Sequence, residues 1–154
     1  PKPMLRLLPL IALLCALVAG LPARADELAS LRSPSGVTLQ ASLEQGNRLV
    51  IAVLPDSDIR LNGRLGVNFE AREDAPVWGG SLPRLVLGPG DYFLDPVLET
   101  IHLDAAALAG PAAATVVFGA CLPVSGICVL EEALVTVSRG ADGDLDLNLA
   151  MLEP

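Results

Sequence analysis

Two cysteines, Cys121 and Cys128, are the residues of this 154-residue chain whose type and spacing can do chemistry. Such a pair either staples a fold through a disulfide or passes electrons by thiol–disulfide exchange. Between them lies Leu122-Pro123-Val124-Ser125-Gly126-Ile127, whose proline and Ser-Gly step set or permit turn dihedrals. Ala113 to Phe118 on one side, and Val129-Leu130 and Ala133 to Val137 on the other, are rich in aliphatic and β-branched residues and read as two strands. The expectation is a hairpin with one cysteine at the foot of each strand. Facing Cα atoms on antiparallel strands lie roughly 4.5–5.5 Å apart, a span that a disulfide accepts. The C-x6-C spacing is not itself a redox signature. Glu131 and Glu132 behind Cys128 favour the neutral thiol, and the loop holds no Lys or Arg to favour the thiolate.

Other chemistry finds little support. His102 is the one histidine, on a stretch that reads as a strand, and no second cysteine pair accompanies it to make a zinc site. Asp142-Gly143-Asp144-Leu145-Asp146 has the oxygen spacing that opens a calcium loop, with Glu153 at the twelfth position. The sixth position, where such a loop turns sharply on glycine, is Leu147, so the leucine alternation explains the stretch better. No phosphate-binding glycine loop, nucleophile elbow or paired-carboxylate motif is present, and no cofactor is expected.

The N-terminal stretch has the three parts of a secretory signal peptide. Met4-Leu5-Arg6 supplies the charged start, Leu7 to Gly20 an apolar run broken by Pro9, and Ala23-Arg24-Ala25 a small-x-small cleavage site. The expected organisation is a signal peptide over 1–25 and one small domain over 26–154. Export would remove Cys15 together with Lys2, Arg6 and Arg24. The domain then carries 7 basic and 18 acidic residues, a net charge of −11, and no lysine. Such a charge argues against nucleic acid and anionic membrane surfaces as partners. No apolar run after the signal is long enough to span a membrane. An oxidising compartment lets disulfides persist, and Cys121–Cys128 becomes the one pairing available.

The rest of the chain reads as strands. Val37, Leu39, Ala41 and Leu43 alternate with polar residues, Glu44 to Asn47 turns, and Arg48 to Leu54 returns. Leu65 to Phe69, a brief Leu85-Val86-Leu87, Asp91 to Asp95, Val97 to Leu103 and Leu145 to Met151 follow, and Glu70 to Gly80 reads as a loop. Asp104 is a candidate N-cap for one helical turn in the Ala-rich 104–112 stretch. Seven to nine short strands with turn signals every 8–12 residues predict an all-β, immunoglobulin-like antiparallel β-sandwich.

The stretch Ala114-Thr115-Val116-Val117-Phe118-Gly119-Ala120-Cys121, then Gly126-Ile127-Cys128, Glu131 and Leu134 to Ser138, resembles the end of the N-terminal periplasmic domain of the thiol:disulfide interchange protein DsbD family. Phe118 matches the aromatic that ends the family's strand, and Cys121 and Cys128 match its two redox cysteines. The resemblance covers residues 85–138. It implies a stand-alone periplasmic domain that relays electrons through the Cys121/Cys128 couple. Its implied partners are a thioredoxin-like or DsbD-like membrane redox protein and oxidised periplasmic substrate proteins. Gly119 departs from the family's glutamine, and Val129-Leu130 from its Pro-Pro. The family also shields its cysteines with an aromatic cap loop, for which Tyr92, Phe93 and Trp78 are the candidates here. The alternative, on the cysteines alone, is a non-catalytic secreted β-sandwich binding or scaffold module with a purely structural disulfide.

Overall fold

The computed structural model describes residues 27–72, 78–79, 87–94 and 96–153. The signal-peptide reading of 1–25 lies outside these residues, as do Leu85 and Val86. Ten strands are present among them: β1 (Glu27–Arg32), β2 (Val37–Glu44), β3 (Arg48–Pro55), β4 (Arg60–Leu61), β5 (Val67–Ala71), β6 (Trp78–Gly79), β7 (Val97–Leu103), β8 (Ala112–Leu122), β9 (Ile127–Arg139) and β10 (Leu145–Leu152). They pair antiparallel in two sheets. One runs β1-β2-β3-β7-β6 and the other β10-β9-β8-β4, with β5 also on β8. The expected all-β antiparallel sandwich is the observed fold.

Period-2 burial explains the layering, because alternate side chains of a strand point to opposite faces. Val37, Leu39, Ala41 and Leu43 of β2 are buried, as are Leu49, Ile51 and Val53 of β3 and Val97, Ile101 and Leu103 of β7. Val116, Phe118 and Ala120 of β8 and Ala133, Val135 and Val137 of β9 complete the same core from the second sheet. Phe118 is among its largest fully buried side chains. The turn in the Ala-rich stretch is a 3-10 helix over Ala105–Ala107, and Asp104 Oδ1 accepts from Ala106 N at 3.2 Å.

Several elements differ from expectation: the six-residue β1 lies in a stretch for which no strand was expected, and the others are short. β4 and β6 have two residues each, too few to carry a periodic signal. β6 brings Trp78 out of the expected loop to pair with Leu103, where its ring meets Phe69 edge-on with centroids 5.4 Å apart. The segment read as a strand over Asp91 to Asp95 begins in a 3-10 turn at Pro89–Asp91 and continues as single bridges at Tyr92 and Phe93. The calcium-like stretch is the β9–β10 turn: Asp142 Oδ1 accepts from Asp144 N, and Gly140 N donates to Asp144 O.

Candidate functional site: the Cys121–Cys128 disulfide and its cover

The hairpin of β8 and β9 pairs Ala112 with Val137 at one end and Leu122 with Ile127 at the other, and Cys121 faces Cys128 in that register. Their sulfurs form a disulfide, with Cα atoms 4.0 Å apart, closer than the spacing expected from sequence. Such closeness belongs to the non-hydrogen-bonded kind of antiparallel pair. The loop closes on Leu122 O, which accepts from Ser125 N at 3.2 Å and Gly126 N at 2.9 Å. Gly126 takes a φ of 69°, where a side chain would be strained.

The two sulfurs lie on the face of the second sheet turned away from the core. Ala112, Ala114, Val116, Phe118 and Ala120 of β8 point inward, so Gly119 and Cys121 point outward. Cys121 is nevertheless fully buried, whereas Cys128 is exposed. The difference follows the ladders: Cys121 lies between Cys128 and Arg60 of β4, whereas among the described residues no strand pairs with Cys128 on its other side, and the segment after β4 meets both cysteines. Asn62 N donates to Gly119 O at 2.9 Å, which sets Asn62 against Gly119 across the ladder. From there the Asn62 side chain reaches both sulfurs, with Nδ2 3.6 Å from Cys121 Sγ and 3.7 Å from Cys128 Sγ.

Gly119 is what allows this approach. A Cβ at that position would stand 2.5 Å from Leu65 Cδ1, 3.1 Å from Leu65 Cβ and 3.2 Å from Asn62 Cβ. Glycine at 119 therefore makes room for the cover formed by residues 62–65. That cover is fastened on its other side: Gly63 N donates to Asp91 O, and Arg64 Nε pairs with Asp91 Oδ2 at 2.6 Å. Of the three candidate cap aromatics, Phe93 is buried in the core, Trp78 belongs to the opposite sheet, and Tyr92 is the bridge partner of Asn62. Asn62 was invisible to sequence reasoning because Asn-Gly reads simply as a turn, and its contacts reach 59 and 66 residues along the chain.

Beyond the disulfide the hairpin projects from the sandwich. β10 pairs with β9 as far as Glu132, opposite Leu152, and among the described residues no strand pairs with Ile127–Glu131 on that side. Leu122, Val124, Ile127, Val129 and Leu130 are exposed there, Val124 completely. A groove of about 1010 Å³ opens beside them, reaching Cys121 and lined by Ile59, Ile127, Val129 and Met151. Asp58, Glu131, Glu132 and Glu153 give its rim an acidic character. Ser35 closes one flank by donating its backbone N–H at 3.2 Å, and its hydroxyl, to the Glu131 carboxylate.

Elsewhere, His102 is an exposed residue of β7. Its neighbour in the same strand, Glu99, is more unusual: it faces Ile51 across the β3–β7 ladder and is only 7% exposed. Its Oε2 finds no partner among the described residues, and burial pushes the carboxyl up to about 7. On the surface, Arg32 holds the Asp56 carboxyl below the usual range through a direct hydrogen bond. Among the described residues no helix is long and apolar enough to cross a membrane. Comparison with protein-family models, curated proteins and solved structures finds no match for the chain.

Proposed function

We propose that the chain is an exported thiol–disulfide exchange domain of the DsbD N-terminal kind. In this reading Cys128 is the attacking sulfur and Cys121 the resolving one. The observation that carries the proposal is the asymmetry of the couple: one cysteine is an exposed residue at the projecting end of a hairpin, and its mate is a fully buried one. Exchange proceeds by attack of a thiolate on an accessible disulfide sulfur, so a partner meets Cys128 first. Exposed Leu130 shares the face of Cys128, and exposed Leu122, Ile127 and Val129 lie on the opposite face, so this end of the hairpin offers the kind of surface a protein partner covers.

The chemistry balances with protein thiols alone. In reducing a substrate, the Cys128 thiolate attacks the substrate disulfide and expels one substrate thiolate, which takes up a proton. The Cys121 thiolate then attacks Cys128 Sγ, releases the second substrate thiolate and closes the Cys121–Cys128 bond. Two electrons pass to the substrate, and the dithiol of a thioredoxin-like or DsbD-like membrane partner restores the pair. The charged start, apolar run and Ala23-Arg24-Ala25 site support a periplasmic setting for this relay.

One observation favours the alternative of a binding or scaffold module. The bond sits one register pair from the hairpin's turn, where a staple would fasten the end of a long ladder. Two measurements separate the readings. Exchange predicts a reduction potential above about −300 mV, and a mixed disulfide trapped with a thioredoxin-like partner by Cys121→Ala but not by Cys128→Ala. A potential below that value, with no trapped species from either variant, identifies a staple.

A further inference from the structure

We infer that Asn62 is a catalytic hydrogen-bond donor to the thiolates of the Cys121/Cys128 couple, a role that rests on the exchange reading above. The orientation of its amide is fixed. Oδ1 accepts from Arg64 N at 2.8 Å and Leu65 N at 3.0 Å, so the oxygen is fully occupied by the turn that follows. The amino group must then face the other way, and what lies there is the sulfur pair, 3.6 and 3.7 Å from Nδ2. One NH2 carries two hydrogens, and there are two sulfurs for them.

A disulfide sulfur is a weak acceptor and a thiolate a strong one, so the same contact is worth more in the reduced protein. That difference matters most at Cys121. Burial alone would hold its thiol neutral, and a neutral thiol does not attack. Glu131 and Glu132 follow in the same strand as Cys128, and among the described residues no basic side chain bonds to either sulfur. Arg60 pairs with Cys121 across the β4–β8 ladder but gives its guanidinium to Ser57 O and Ile59 O, so a neutral donor locked in place by its own turn is the group that bonds the sulfurs directly. While Cys128 is held in a mixed disulfide, Asn62 keeps one N–H on the Cys121 thiolate and one on the sulfur it must attack. The charge moves from Cys121 to the departing partner thiol within reach of the same donor.

The test is the ionisation of the chemically reduced full chain, followed by ultraviolet thiolate absorbance against pH, in wild type, Asn62→Asp and Asn62→Ala. Asp keeps an acceptor for Arg64 N and Leu65 N, and so keeps the turn, but turns an oxygen toward the sulfurs. We expect ionisation to move up by about 1–2 pH units in N62D and about one unit in N62A. Exchange with a reduced thioredoxin-like protein, in which Cys121 departs as the thiolate, should slow about threefold for each unit, with the thermal midpoint of N62D near wild type. Unchanged ionisation in either folded variant overturns the role of Asn62 while leaving exchange intact. A wild-type disulfide inert to the thioredoxin-like protein sinks the exchange reading and takes the catalytic role with it. The two failures are read from different measurements.

Discussion

Two regions of the sandwich treat a polar side chain, half-buried in one and buried in the other, in opposite ways. Over the disulfide, the Asn62 amide uses its oxygen on two backbone N–H groups and its nitrogen on two sulfurs. In the first sheet, Glu99 enters the core beside Ile51 with one carboxylate oxygen unpartnered among the described residues. A buried polar group with all its bonds made fixes a geometry, whereas one left short is a cost that the fold lowers by keeping a proton. The first region is built to hold atoms in place; the second makes the fold answer to pH.

Three experiments break or sharpen that contrast. The largest effect belongs to Glu99. Its folded-state value of about 7 lies above the ordinary 4.5, so the folded protein binds the extra proton more tightly than the unfolded chain. The stability this contributes is complete below pH about 4.5 and is lost as pH rises through about 7, at most roughly 3 kcal/mol in all. Glu99→Gln should flatten that dependence and raise the urea midpoint above neutral pH; an unchanged slope would mean the carboxyl is not held protonated.

A smaller effect is expected at Gly119. Gly119→Ala puts a methyl group against Leu65 and Asn62 and should cost about 1–3 kcal/mol. The strain pushes the cover off the sulfurs, so Cys121 should react faster with a small alkylating reagent once the protein is reduced. Wild-type alkylation rates in this variant would show that residues 62–65 do not shield the sulfur. The smallest effect is at the groove. Ser35→Ala removes the hydroxyl that the Glu131 carboxylate accepts from and should lower stability by about 1 kcal/mol, leaving the wild-type ionisation of the reduced cysteines in place. Denaturant titration measures the first quantity and thiolate absorbance the second.

Legibility in the sequence followed the range over which the physics acts. The β8–β9 register was readable because two apolar runs joined by Pro123 and Ser125-Gly126 can pair locally, and that alone set Cys121 against Cys128. Asp104 as a cap and the alternations of β2, β7 and β10 were readable for the same local reason. Glu99 was not singled out, although the signal was present: it shares the parity of Val97, Ile101 and Leu103, and a carboxylate at an inward position is unusual in itself. The cover over the disulfide was not. Two-residue β4 has no period to detect, and the meaning of Gly119 emerges once Asn62 and Leu65 stand over it. Long-range packing chose residues 62–65 for that place, ahead of the aromatic residues that family resemblance suggested.

The position of the disulfide within its ladder carries one more consequence. Cys121–Cys128 is the tenth of eleven register pairs between β8 and β9, and the rest of the ladder is anchored by Val116, Phe118, Val135 and Val137 in the core. Opening the bond therefore parts two sulfurs that the backbone continues to hold opposite each other. Oxidised and reduced protein should share one shape, so the exchange proposed for this site would need almost no reorganisation of the chain. Its rate would then be set by what reaches Cys128 and by how readily a proton leaves, with the sandwich as a rigid mount for a two-atom reaction.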